Sequence, residues 1–116
     1  MKLRLKGNSI RLRLTQSEVG RVAGGARIEE TCEFSTGGRF TWALESGEGS
    51  CVAASLIGTQ ITVSVPVAMI RDWAGSDRVG IYATSAGVEI AIEKDFRCLT
   101  PRADELDAFP NPATAC

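Results

Sequence analysis

Basic residues alternate with apolar ones at the start of the chain. The alternation runs through residues 2–6 and 10–14 and has the period of half-buried strands. Gly7, Asn8 and Ser9 separate the two runs and favour a turn, so we predict a β-hairpin. Its apolar residues must face one way, which leaves the cations on the opposite face. The predicted binding residues are these cations and the turn asparagine: Lys2, Arg4, Lys6, Asn8, Arg11 and Arg13.

A ribbon of cations can neutralise phosphates or pair with carboxylates, so three interpretations stay open. Nucleic acid is the first partner, with an affinity that falls steeply as salt rises. An acidic protein or other acidic ligand is the second. The third interpretation is a solvated face, partly paired with Glu29, Glu30 and Glu33 of an acidic strand. Because these cations would point to solvent, reversing Arg11 and Arg13 to Glu is expected to change stability little.

The cysteines offer a thiol or metal function as a further alternative. None of the spacings is Cys-x-x-Cys, so the signature of a knuckle zinc site is missing. The four residues are Cys32, Cys51, Cys98 and Cys116. Cys32 alternates with Ile28 and Phe34, which predicts a small core residue. Cys98 and Cys116 would carry any metal or redox role, whereas a reducing cytosol favours free thiols.

Catalytic chemistry has little support in this sequence. The chain contains no histidine, which excludes Ser-His-Asp and Cys-His catalysis and mixed Cys/His metal sites. Nothing in the sequence places two carboxylates in one cleft for acid–base work. The candidates would be Asp72, Asp77, Glu89 and Glu93. The glycines at 24 and 25 are not followed by the Gly-Lys-Ser/Thr of a phosphate loop. We therefore expect no enzyme activity and no cofactor.

Length and composition indicate one globular domain. A chain of 116 residues with 44% apolar and 23% charged residues and a net charge of −1 can fold around a single core. The longest apolar run, near residues 65–70, is too short to span a membrane. The first four residues lack the apolar core of a signal peptide. These features predict a cytoplasmic protein.

The sequence contains an internal repeat. Without gaps, residues 7–28 align with residues 58–79. The identical pairs are Gly7/Gly58, Ile10/Ile61, Ala23/Ala74, Gly24/Gly75 and Arg27/Arg78. Apolar character is also kept at paired positions, including Ile28 with Val79. A repeat of this kind predicts two copies of one supersecondary unit.

Each copy has the pattern of two strands, a short helix and two more strands. In the first copy, Thr15 and Glu18 have the spacing of a capping box that opens a helix, and Gly24 follows it. In the second, Pro66 starts the helix and Gly75 ends it. The predicted order is therefore ββαββ twice. We expect the apolar residues of both copies to share one core: Leu12, Leu14, Val19, Val63, Val65, Ile70 and Trp73.

The second copy resembles the swapped-hairpin domain of AbrB-type transition regulators and MazE-type antitoxins. The matching residues are Ile61, Val63, Val65, Pro66, Ile70, Gly75, Asp77, Val79 and Ile81, and Gly7, Asn8 and Ser9 resemble the antitoxin entry turn. Family members usually carry one copy, form the barrel as a homodimer and bind DNA through basic residues near their hairpins. The whole chain also resembles a group of short uncharacterised bacterial proteins, which implies no activity.

The resemblance implies a mainly β fold with two short helices, in which one chain supplies both halves of a swapped-hairpin barrel. Repeat one would occupy about residues 1–47 and repeat two about 51–96. Closure of the barrel would remove every edge strand, so we expect a monomer. The function expected is that of a non-enzymatic binding or regulatory module without a membrane role.

An acidic, proline-containing segment occupies residues 97–116. Its three prolines argue against a long helix or a sheet strand, so we expect an extended tail. It could dock on its own barrel, present a motif to a partner or stay disordered.

Overall fold

A computed structural model describes residues 1–96. The fold is mainly β with two helices, and the order of elements is the ββαββ pattern twice. The elements are β1 (Lys2–Lys6), β2 (Ser9–Leu14), α1 (Gln16–Ala23), β3 (Ile28–Glu33), β4 (Arg39–Gly47), β5 (Ala53–Ile57), β6 (Gln60–Pro66), α2 (Val67–Ala74), β7 (Gly80–Ser85) and β8 (Val88–Lys94). The predicted tail, with Cys98 and Cys116, lies outside the described residues.

The strands form two four-stranded sheets with the orders β1-β2-β8-β7 and β3-β4-β6-β5. In each sheet two antiparallel hairpins meet through a parallel central pair, β2 with β8 and β4 with β6. The expected closed barrel is wrong, because within residues 1–96 the outer strands of both sheets remain edges. Charged side chains on the edge strands β1 and β3 oppose edge-to-edge pairing without closure.

Local sequence signals explain the turns and the first helix. Gly7 and Gly58 have φ of 53° and 59° and take the first position of two-residue hairpin loops, where a left-handed φ is needed. The predicted capping box of α1 is confirmed: Thr15 Oγ1 accepts from the Glu18 amide, and Glu18 accepts from the Thr15 amide. These two backbone amides at the start of α1 are thereby satisfied.

A single apolar core lies among the inner faces of the two sheets and the two helices. All seven predicted core residues belong to it: Leu12, Leu14, Val19, Val63, Val65, Ile70 and Trp73. Trp73 is fully buried, and its indole Nε1 donates to the Val79 carbonyl at 3.1 Å. That hydrogen bond satisfies the one polar atom of a side chain otherwise buried among hydrocarbon.

One aligned apolar pair differs in burial, and one expectation about a core position is wrong. Ile28 is 2% exposed, but Val79, its partner in the gap-free alignment, is 49% exposed. By strand pairing, the structural counterpart of Ile28 is Ile81. Within its own sheet, each of these residues lies two strands away from a core residue that belongs to the sheet's other hairpin. Cys32 is exposed rather than buried. It lies near the far end of edge strand β3, beyond the core that covers Ile28.

Candidate anion-binding face

The predicted cations lie on the outer face of the sheet β1-β2-β8-β7, which we call the basic face. Alternation directs Leu12 and Leu14 into the core and Arg11 and Arg13 outward, as predicted. The register then fixes the neighbours across the sheet. Three rows cross the basic face: Lys2, Arg13, Glu93 and Gly80; Arg4, Arg11, Ala91 and Tyr82; Lys6, Ser9, Glu89 and Thr84.

Glu93 holds the two arginines of β2. Its Oε1 lies 3.4 Å from Arg11 Nε and 3.7 Å from Arg13 Nε. The side chains of Arg11 and Arg13 are 34% and 20% exposed, so both are partly buried against the face. Lys2 reaches Asp95 at 3.0 Å but stays 74% exposed. The face therefore combines paired arginines near its centre with exposed cations on the edge strand.

The interpretation that the acidic strand partly pairs with the basic hairpin is not supported by the described ion pairs of its glutamates. Instead, Glu29 pairs with Arg27, Glu30 with the Met1 amino group, and Glu33 with Arg39. The reason is topological, because β3 belongs to the other sheet and β8 lies beside β2. Carboxylates from the second half of the chain thus neutralise part of the first hairpin.

Tyr82 is the exposed aromatic residue of the basic face, with 59% of its surface accessible. Its hydroxyl donates to Glu93 Oε2 at 2.7 Å. Burial raises the pKa of Tyr82, as do the hydrogen bond and charge of Glu93, against the opposing charges of Arg11 and Arg78. The ring lies across Gly80, where an added Cβ would come within 2.9 Å of its Cζ atom.

A shallow depression separates Tyr82 from Arg11. It has a volume of about 460 Å³, and Ala91 lies on its floor between the two longer side chains. Ser9, Thr84 and Glu89 line its other side. Sequence reasoning missed Tyr82 and Glu93 as parts of the face. The alternation of β7 and β8 marks both as outward residues, but only strand order brings them beside β2.

Asn8 lies at the rim, in the turn between β1 and β2. Its side-chain nitrogen donates to the Gly87 carbonyl at 2.9 Å, and its own carbonyl accepts from the Glu89 amide at 3.0 Å. These bonds join the β1–β2 turn to the β7–β8 turn. The side-chain amide of Asn8, which was predicted to bind a ligand, therefore holds the two turns together.

The outer face of the sheet β3-β4-β6-β5 provides an internal comparison. By sequence, Ser55, Thr62 and Ser64 occupy the places that Arg4, Arg11 and Arg13 occupy in the first repeat. Thr31 and Thr41 share a hydroxyl hydrogen bond of 3.1 Å across this face. Arg27 pairs with both Glu29 and Glu45 at 3.1 Å. Two similar sheets thus present outer faces of different charge.

Residues 1–113 match the model of a Family of unknown function (DUF7009). The chain belongs to this family. No curated protein and no solved structure matches this chain.

The other predicted chemical groups of this DUF7009 member are dispersed. Asp72 pairs with Arg78 at 3.3 Å on the α2 side, and Glu89 and Glu93 lie on β8 with Ala91 between them. Cys32 and Cys51 are exposed free thiols. Within residues 1–96 no group of three or more His, Cys, Asp or Glu residues could hold a metal ion. In the same part of the chain, neither helix has the length and apolarity needed to cross a bilayer.

Proposed function

We propose that this DUF7009 member is a non-enzymatic binding module that contacts nucleic acid through the basic face. The observation that carries the proposal is the presence of five cations on two adjacent strands of one outer sheet face: Lys2, Arg4, Lys6, Arg11 and Arg13. Lysine and arginine side chains bind phosphates mainly by charge, independently of base sequence.

The ion pairs on the face are compatible with phosphate binding. The lysine of the Lys2–Asp95 pair is 74% exposed, and ion pairs open to solvent contribute only about 0–1 kcal/mol, so a phosphate can compete for this cation. Arg11 and Arg13 each approach Glu93 through Nε, and a guanidinium group carries further N–H donors with which a phosphate can hydrogen-bond.

We further propose that the fold is a duplicated swapped-hairpin unit related to the AbrB and MazE types. Strand order supports this, because each sheet joins a hairpin from the first half of the chain to one from the second. The left-handed glycines Gly7 and Gly58 open equivalent turns in the two halves. A fused pair frees each half to change independently, which accounts for the different charges of the two outer faces.

A second candidate is an acidic protein segment, because carboxylates already occupy part of the basic face. Glu93 and Asp95 show that an acidic side chain fits beside Arg11, Arg13 and Lys2. An acidic peptide would extend the same contacts. The two candidates differ in ligand chemistry rather than in location.

Charge reversal at exposed positions tests the proposal. Lys2→Glu with Lys6→Glu should weaken binding of a labelled random nucleic acid by ten-fold or more at about 50 mM salt, and lower the salt slope by roughly 0.7–0.9 per lost phosphate contact. Arg39→Glu with Arg71→Glu is the matched control, since both positions are exposed and lie off the basic face. The control should bind like the parent protein.

Arg11 and Arg13 are poor positions for this test. Reversing both would place two further carboxylates beside Glu93, so a loss of binding in that variant would be mixed with a loss of stability. Absence of binding at tens of micromolar protein, or an equal loss in the control, would overturn the nucleic-acid proposal. Tighter binding of poly-glutamate than of nucleic acid would favour the acidic partner.

A further inference from the structure

We infer that the basic face selects single-stranded over duplex nucleic acid, with Tyr82 as a stacking platform for a base. The inference rests on the proposed function and assigns its substrate class. It combines the width of the face, the position and exposure of Tyr82, and the difference between the two sheets.

The width of the basic face disfavours entry into a duplex groove. Adjacent strands lie about 4.8 Å apart, so the four strands from β1 to β7 span about 14 Å between outer backbones. The major groove of B-DNA is about 12 Å wide and admits a helix or a two-stranded ribbon. The first hairpin cannot act as such a ribbon, because β8 extends its sheet on the β2 side. The face is a platform rather than an insert.

The cations and the aromatic residue are ordered across this platform. Arg4 and Arg11 lie on β1 and β2, Tyr82 lies on β7, and Ala91 leaves the depression between them. A single strand can lay its phosphates along the cations and turn a base toward the aromatic ring. A duplex keeps its bases stacked inside and can offer one to Tyr82 only after unpairing and unstacking it, which costs free energy.

Tyr82 is oriented for stacking. Its ring lies back across Gly80, and its hydroxyl is fixed to Glu93 at 2.7 Å. Since 59% of the residue is exposed, the ring covers the strand on one side and meets solvent on the other. An aromatic side chain held in this way loses little rotamer freedom when a base stacks on it.

Only one of the two sheets carries this combination. In the other sheet, residues of the corresponding hairpin strands are Ser55 and Thr62 rather than Arg4 and Arg11. Ile28 is the counterpart of Ile81, so the residue that follows it, Glu29, is the counterpart of Tyr82. A two-fold duplex site would use both sheets equally. A one-sided face is suited to a single strand.

The test compares a labelled oligothymidylate of about 15 nucleotides with a duplex of equal length. The intact protein should bind the oligothymidylate at least ten-fold more tightly. Tyr82→Leu should weaken oligothymidylate binding by about ten-fold, since it keeps apolar bulk but lacks a π face. Tyr82→Phe keeps the π face and loses only the hydroxyl bond to Glu93, so it should weaken binding much less. Phe34→Ala is the control, because Phe34 is an exposed aromatic outside the basic face.

The outcomes separate this inference from the proposed function. Equal or tighter duplex binding would overturn the single-strand inference while leaving nucleic-acid binding intact. A preference for oligothymidylate that survives Tyr82→Leu would overturn the stacking role. Binding of neither probe would overturn both the inference and the proposed function. Circular dichroism and thermal melting of each variant show that a loss of binding is not a loss of fold.

Discussion

The contact between Gly80 and Tyr82 predicts that Gly80→Ala destabilises the protein. Gly80 is buried at the start of β7. A Cβ there would lie 2.7 Å from the Tyr82 hydroxyl oxygen and 2.9 Å from the Ile92 carbonyl oxygen. The tyrosine can rotate away, but the Ile92 carbonyl belongs to the backbone of the neighbouring strand β8. Relief of that second contact requires a shift between β7 and β8.

Two opposing effects determine how much Gly80→Ala changes the unfolding free energy. Overpacking of a well-packed site costs about 1–3 kcal/mol. Replacing glycine by alanine reduces the entropy of the unfolded chain, which stabilises by about 0.4–1 kcal/mol where the backbone permits alanine. Gly80 is not among the glycines with positive φ, so this gain applies. The net expectation is a loss of about 1–2 kcal/mol, or several degrees in Tm for a domain of this size.

Urea denaturation followed by circular dichroism measures this loss. The same substitution in a Tyr82→Ala background should cost less, because only the carbonyl contact then remains. Alanine at position 80 should also displace the ring from Glu93, which an absorbance titration can detect because Tyr82 is the only tyrosine in the chain. A more stable Gly80→Ala protein would refute the reasoning.

Three further predictions concern the pKa of Tyr82, the first helix cap and the core. In an absorbance titration the pKa of Tyr82 should lie above its ordinary value, through burial and the adjacent Glu93, and Glu93→Gln should lower it. Because the folded-state pKa is raised, this contribution to the unfolding free energy is present below the ordinary tyrosine pKa and lost as pH rises through the folded value. Thr15→Ala should cost about 1 kcal/mol in urea denaturation by removing a cap acceptor, whereas Thr15→Ser should retain it. Leu12→Ala should lower the unfolding free energy by about 2–5 kcal/mol, since Leu12 is fully buried; a loss below 1 kcal/mol would contradict the shared core.

Several features of the fold follow from sequence alone because they depend on neighbouring residues. Alternation over residues 10–14 assigns Leu12 inward and Arg11 outward whichever strand lies alongside. The capping box needs only Thr15 and Glu18, three positions apart. The turn at Gly7 needs a backbone that accepts positive φ. Strands, helices, seven of the fifteen core residues within residues 1–96 and the cation ribbon were therefore predictable.

The surroundings of those cations required the tertiary structure. A period of two specifies which side chains share a face but not which distant strand supplies the neighbours. Only the parallel pairing of β2 with β8 places Glu93 opposite Arg13 and brings Tyr82 to the same face. The same limitation explains why the prediction for Cys32 failed. The alternation places Cys32 on the same face of β3 as Ile28, but its position near the end of an edge strand leaves it exposed.

The internal repeat also separates what local sequence predicts from what strand pairing decides. Matching residues through the helices predicted the shared core, since strand and helix directly follow each other in the chain. Beyond the second helix, Ile81 rather than Val79 enters the core, because the sheet register and not the alignment decides which residue faces inward. Local sequence determined the elements and their faces. Pairing between distant strands determined the open sheets and the composition of the basic face, because register depends on contacts that short-range patterns do not encode.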